Sequence, residues 1–111
     1  MKLLHRSLLL SSILTLGLST IAGANSLPKV SPLELRLTYR VHHCEEPTWH
    51  VNGPSYKGGL GWRLATWNTF RLPWMPLTMD KATIMEQAVA MVRFVNYYHF
   101  WPDLRGCCGG Y

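Results

Sequence analysis

Residues 43–61 read His43-Cys44-Glu45-Glu46-Pro47-Thr48-Trp49-His50-Val51-Asn52-Gly53-Pro54-Ser55-Tyr56-Lys57-Gly58-Gly59-Leu60-Gly61. A cysteine and an acid stand beside a tryptophan, and a glycine-lined segment with its own aromatics follows. How the chain enters and leaves this stretch sets the fold class. Upstream, Ser31-Pro32-Leu33-Glu34 is a helix start. The Ser31 hydroxyl can accept from the Glu34 amide while the Glu34 carboxylate reaches back, and proline is tolerated in the first turn. The residues that follow fit two periods. Leu33, Leu35, Leu37, Tyr39 and Val41 alternate as in a strand, whereas Leu33, Leu37, Val41 and Cys44 form a helical stripe. The cap decides for a helix from Pro32 to about Glu45. Pro47 ends it, because a residue before proline avoids the helical region.

Downstream, Trp49 to Asn52 reads as a short strand, Gly53-Pro54-Ser55 as a turn, and Tyr56 to Trp62 as a returning strand loosened by Gly58, Gly59 and Gly61. Together they predict a β-hairpin. Leu64, Trp67 and Phe70 give a short helix over Arg63 to Phe70. Pro73-Trp74-Met75-Pro76 reads as a rigid, extended connection. Thr83-Ile84-Met85-Glu86 is a second capping box. The run Gln87 to Tyr98 behind it lacks Gly and Pro and shows an apolar face at Ala88, Met91, Val92 and Val95. Pro102 and the glycines from Gly106 to Gly110 end the structure. The prediction is an α+β domain, mainly helical with a short hairpin, over residues 31–111.

The ends and the composition add context. Met1 to Arg6 is basic, Leu8 to Leu18 is largely apolar, and Ala22-Gly23-Ala24 is a small-x-small site. This is the layout of a secretory signal peptide over residues 1–24, with Asn25 to Val30 as a loose tail. The apolar run falls short of the ~20 residues that span a bilayer, so no membrane insertion is expected after cleavage. The net charge is +5, and the loss of Lys2 and Arg6 would lower it to +3. No run of like charges points to nucleic acid. All 13 aromatic residues lie after residue 38, enough to build a core in a small chain. Three cysteines in a secreted chain suggest a staple with one thiol left over. His42, His43, Cys44 and His50 are poor candidates for a metal site, since three consecutive residues do not converge on one ion; neither metal nor cofactor is expected.

Taken in order, Cys44-Glu45, Trp49 to Asn52, Tyr56-x-Gly58-Gly59-Leu60-x-Trp62 and Ala65-Thr66-Trp67 resemble the resuscitation-promoting-factor domain. That family's pattern runs Cys-Glu-Ser-Gly-Gly-x-Trp, Gly-Gly-Leu-Gln-Phe and Ser-Thr-Trp, and Gly58 to Trp67 align without a gap. Ala82-Thr83-x-x-Glu86-Gln87 is similar to the start of the family's last long helix, and Trp101-Pro102-Asp103 with Gly106-Cys107 to the ending of short secreted members. Two departures stand out: Glu46-Pro47-Thr48 replaces a segment one residue longer, and Gly61 replaces the usual Gln.

The resemblance implies a small lysozyme-like fold that is secreted and associated with the cell wall. It implies cleavage of peptidoglycan glycan strands between N-acetylmuramic acid and N-acetylglucosamine, with Glu45 as the catalytic acid. A cell-wall peptidase is a conceivable protein partner that the residues do not identify. Groove candidates are Tyr56, Gly58, Gly59, Leu60, Gly61, Trp62, Thr66 and Trp74; Trp49, Trp67 and Trp101 read as packing. Cys44 paired with Cys107 would close a long loop, worth roughly 4 kcal/mol in the chain-entropy model, with Cys108 as the alternative partner. A glutamate that donates a proton near neutral pH needs an apolar setting, and Glu45 follows Val41 by one helical turn. A second flanking carboxylate is the usual requirement. Asp80, Glu86 and Asp103 carry no mark of that role, so a lone acid fits a lytic transglycosylase as well as a hydrolase. The alternatives are a wall-binding or signalling module of the same fold with cleavage lost, and a small structural protein unrelated to sugar.

Overall fold

The computed structural model describes residues 26–102. The expected signal peptide, Asp103, Cys107 and Cys108 lie outside them. The described chain is mainly helical: α1 (Pro32–Glu45), α2 (Leu64–Phe70) and α3 (Ile84–Tyr98), with a 3-10 turn at Met79–Lys81. Helix α3 packs against both α1 and α2.

Both expected capping boxes are present. Ser31 Oγ accepts from the Glu34 amide at 3.1 Å, and Glu34 Oε1 accepts from the Ser31 amide at 2.9 Å. Thr83 Oγ1 and Glu86 repeat the arrangement at 3.1 and 2.8 Å. Each box satisfies two amides that the first helical turn leaves without partners. Helix α1 ends at Glu45, with Glu46 already extended ahead of Pro47. Helix α3 ends at Tyr98, and its cap residue His99 is left-handed with φ of 64°.

The stripe on α1 differs from expectation. Leu33 is exposed, and the buried residues are Thr38 and Val41. Thr38 is tolerated there because its hydroxyl donates to the Glu34 carbonyl at 2.8 Å. On α3, Gln87, Ala88, Val89, Ala90 and Met91 are all buried. A helix buried all round over these five residues, behind an exposed Met85, is the centre of the fold rather than one of its faces. Around it gather Val41, Leu60, Trp62, Trp67, Phe70, Met75, Met79 and Ala82.

The predicted hairpin is not formed as strands. Among the described residues there are two isolated antiparallel bridges, Asn52 with Lys57 and Lys57 with Trp62. Lys57 belongs to both, so each bridge closes its own four-residue loop. In the second, Lys57 and Trp62 exchange both backbone bonds, at 3.0 and 3.1 Å, across Gly58–Gly61. Gly58 and Gly61 have φ of 74° and 63°, a backbone region that a continuing strand does not use. The expected extended connection is likewise a turn. The Met75 amide donates to the Leu72 carbonyl at 3.0 Å, which lets Met75 enter the core. The Arg71 guanidinium holds this turn by donating to the carbonyls of Leu72, Pro73 and Met75.

Candidate active site

The end of α1 and the loop across Gly58–Gly61 meet at a cleft of about 340 Å³. Glu45 stands on its α1 wall. Val41, one turn earlier, and Leu60 are buried beneath it. Tyr56, Gly61 and Trp62 come from the loop, Arg63 and Thr66 from the start of α2, and Phe94 from α3. Six of the nine expected site residues therefore converge: Glu45, Tyr56, Leu60, Gly61, Trp62 and Thr66. Glu45 itself is exposed at the cleft rather than sunk into it, while apolar walls lie to one side.

Gly58, Gly59 and Trp74 do not line the cleft. Gly58 and Gly59 are buried and face the opposite way. A Cβ on Gly58 would lie 2.6 Å from Met79 Sδ, and one on Gly59 would overlap the Trp49 ring and come within 3.0 Å of His42 Nδ1. Their bareness permits close packing of the loop against its support, not the approach of a polymer. Trp74 sits in the turn after α2, partly exposed.

The support beneath the loop is a buried amide. Gln87 Oε1 accepts from the Gly59 amide at 2.8 Å. Its Nε2 donates to the carbonyls of Trp49, Met79 and Ala82 at 2.9, 3.2 and 3.2 Å. The Gly59 carbonyl is held in turn at 2.8 Å from His42 Nδ1, on α1. The His42 ring stacks on Trp49 at 3.9 Å, and Tyr39 meets Trp49 edge-on at 5.1 Å. One side chain of α3 and one of α1 thus clamp Gly59 from both sides and fix the loop relative to Glu45.

At the mouth of the cleft the Arg63 guanidinium lies over the Tyr56 ring, 5.5 Å from its centre, and donates to the Tyr56 hydroxyl at 3.4 Å. That hydrogen bond, and then the charge interaction with Tyr56, raise the arginine pKa above its ordinary value. Glu46 leaves the helix, and its carboxylate returns toward Gly61: a Cβ there would lie 3.0 Å from Glu46 Oε1 and 3.6 Å from Glu45 Cβ. With φ at 63°, Gly61 also occupies a conformation that a glutamine would adopt only under strain. Past Thr66 and Phe94, which both cavities share, a second hollow of about 280 Å³ opens between α2 and α3, walled by Phe70, Tyr98 and Phe100.

Reasoning from the sequence missed Arg63, Phe94 and Gln87. Phe94 lies seven residues after Gln87, two helical turns along the same face, and that spacing was the available signal. Among the described residues no group of three His, Cys, Asp or Glu side chains lies close enough to hold a metal ion, and no helix is long and apolar enough to cross a membrane. No family model, curated protein or solved structure matches the chain. The resemblance thus stands on the motifs between Cys44 and Gln87 and on the terminal Trp101 to Cys107 segment.

Proposed function

We propose that this chain is a secreted, wall-associated enzyme that cleaves the glycan strand of peptidoglycan, with Glu45 as the general acid. The observation that carries this reading is the convergence of Glu45 with Tyr56, Leu60, Gly61, Trp62 and Thr66 on one cleft. The continuation of that cleft past Thr66 and Phe94 suits a polymer longer than one sugar. Glu45 protonates the leaving glycosidic oxygen. Among the described residues Glu45 is the carboxylate that lines the cleft; Asp80 and Glu86 do not, and Glu46 lies near Gly61 without lining it. This favours the lytic route, in which the sugar's own group attacks and Glu45 acts first as acid and then as base. The fold belongs, on this reading, to the lysozyme-like class, and a Cys44–Cys107 bond anchors the backbone next to Glu45. Peptide mapping without reduction identifies the bonded pair.

A second reading, a wall-binding module that no longer cleaves, is favoured by Gly61. The backbone there leaves no side chain on the wall where the resembled family carries a glutamine. Mass spectrometry of purified wall after incubation separates the two. Anhydro-muramic ends indicate the lytic route, new reducing ends indicate hydrolysis, and intact strands that retain the protein indicate binding alone.

A further inference from the structure

The cleft holds a cation that the reading above leaves without a task. Arg63 lines the same cleft as Glu45, and no carboxylate of the described residues pairs with it. Its guanidinium carries five N–H donors in a planar fork. Among the described residues one hydrogen bond uses them, to the hydroxyl of Tyr56. The Tyr56 ring, 5.5 Å from the guanidinium carbon, attracts it as a cation–π partner and with the hydroxyl hydrogen bond draws the fork to this side of the cleft. Tyr56 and Arg63 are both exposed, so a ligand reaches this pair from solvent. The other linings named above are apolar or small, apart from Glu45 and Thr66. A preorganised fork with unused donors, in a cleft with apolar walls, is the arrangement that recognises a carboxylate in two parallel hydrogen bonds.

The geometry points to Arg63 as a specificity residue that binds a carboxylate of the glycan substrate, positioned by Tyr56. This rests on the glycan-cleavage reading and deepens it. A strand of N-acetylglucosamine alone carries no carboxylate. Strands containing muramic acid carry one on the lactyl group when the peptide is absent, and others on the peptide when it is present. The shared chemistry is therefore a substrate carboxylate, and Arg63 selects anionic strands over neutral ones. Arg63 touches no reacting bond in this scheme, so it acts on KM and leaves kcat nearly unchanged.

The test uses three soluble substrates: chito-oligosaccharides, peptide-stripped muramic strands and peptide-bearing muramic strands. The full chain is compared with Arg63→Gln, Arg63→Lys and Arg36→Gln. Arg36 is exposed on α1 and does not line the cleft, so its variant reports the effect of net charge alone. The parent is expected to favour an anionic strand over the neutral one by about tenfold in KM, the size of one charge-assisted pair. Arg63→Gln should erase that preference at nearly unchanged kcat, Arg63→Lys should keep part of it, and Arg36→Gln should keep it all. Loss confined to stripped strands assigns the lactyl carboxylate; loss confined to peptide-bearing strands assigns the peptide. If the parent binds without cutting, Kd replaces KM in each comparison. Equal effects of Arg63→Gln on all three strands, or an equal loss in Arg36→Gln, overturn the assignment and leave glycan cleavage standing. A parent that neither binds nor cuts any of the three overturns both.

Discussion

The loop from Trp49 to Trp62 and the aromatic cluster between α2 and α3 meet at the cleft through Trp62 and Phe94, yet they are held in different ways. The loop has no regular structure. Its shape is set by discrete partners: the Gln87 amide, the His42 ring, and glycines where a Cβ would collide. The cluster is a chain of contacts among Trp62, Phe70, Phe94, Tyr98 and Phe100, with ring centres 4.8 to 6.3 Å apart. Such pairs contribute about 0.5–1.5 kcal/mol each beyond their burial, and several overlap. Discrete partners fail all at once when one is removed. Overlapping contacts fail by degrees. Trp62 belongs to both regions, and through it the loop registers against the helices.

The largest expected effect tests which wall carries the chemistry. Glu45→Gln keeps the shape and removes the titratable proton. Glycan cleavage should fall by about 10²–10⁴, or roughly 3–5 kcal/mol of barrier, while wall binding persists. Glu46→Gln should do little. An active parent whose Glu45→Gln form cuts at near-parent rate would move the chemistry away from the end of α1.

The next effect tests the comparison itself. Gln87→Leu is nearly isosteric but removes the partner of the Gly59 amide and of the Trp49 and Ala82 carbonyls, while the Met79 carbonyl keeps the Ala82 amide. Each stranded group costs about 1–3 kcal/mol, so a loss of at least about 3 kcal/mol is expected in urea unfolding. Phe94→Leu, in the cluster, should cost about 1–2 kcal/mol because the neighbouring rings close in. If the two variants unfold at the same urea concentration, the contrast between the regions is wrong.

How far this contrast was legible in the sequence follows from the range of the forces involved. Caps are local. Ser31 with Glu34 and Thr83 with Glu86 bond across three residues, so both helix starts could be read directly, as could the stop at Pro47. Gln87 bonds to Trp49, 38 residues away, and to Gly59, 28 away, and no periodicity encodes such partners. By composition Gln87 reads as the polar side of a helix. The glycines misled in a related way. Gly58 and Gly59 signal close approach, but not whether the approaching group is a ligand or, as here, Met79 and Trp49. The convergence of Glu45 with Tyr56 and Trp62 was readable because a motif resemblance carried it. Arg63 lies between two of those motifs and was read only as the start of the short helix.

Gly59→Ala sharpens the point with a single methyl group. It would overlap the Trp49 ring and press on His42, which is already stacked against that ring. Overpacking of this kind costs about 1–3 kcal/mol, and the loop should shift as one piece rather than yield locally. The chain has five tryptophans, so Trp49 is read by its own 19F resonance in 5-fluorotryptophan-labelled protein, which should shift. An unchanged Trp49 resonance together with unchanged stability would show that the loop has more slack than its contacts indicate.

The smallest expected effect belongs to neither wall. Thr83→Ala removes the hydroxyl that accepts from the Glu86 amide, while the Glu86 carboxylate can still accept from the residue 83 amide. Half of the box is lost, so the cost should be about 1 kcal/mol. In a domain of this size that corresponds to a fall of about 4–8 °C in Tm. Because Gln87 follows one residue after the box, fraying of the first turn of α3 would also loosen the hub under the loop. The two effects separate in one experiment. If the cap acts only on global stability, Thr83→Ala lowers Tm and leaves both glycan cleavage and the Trp49 19F resonance at the parent level. If the cap also holds the hub, the Trp49 signal moves toward that of Gln87→Leu while the rings around Phe94 remain in place, and the loop's dependence on discrete partners extends to a hydroxyl that touches none of it.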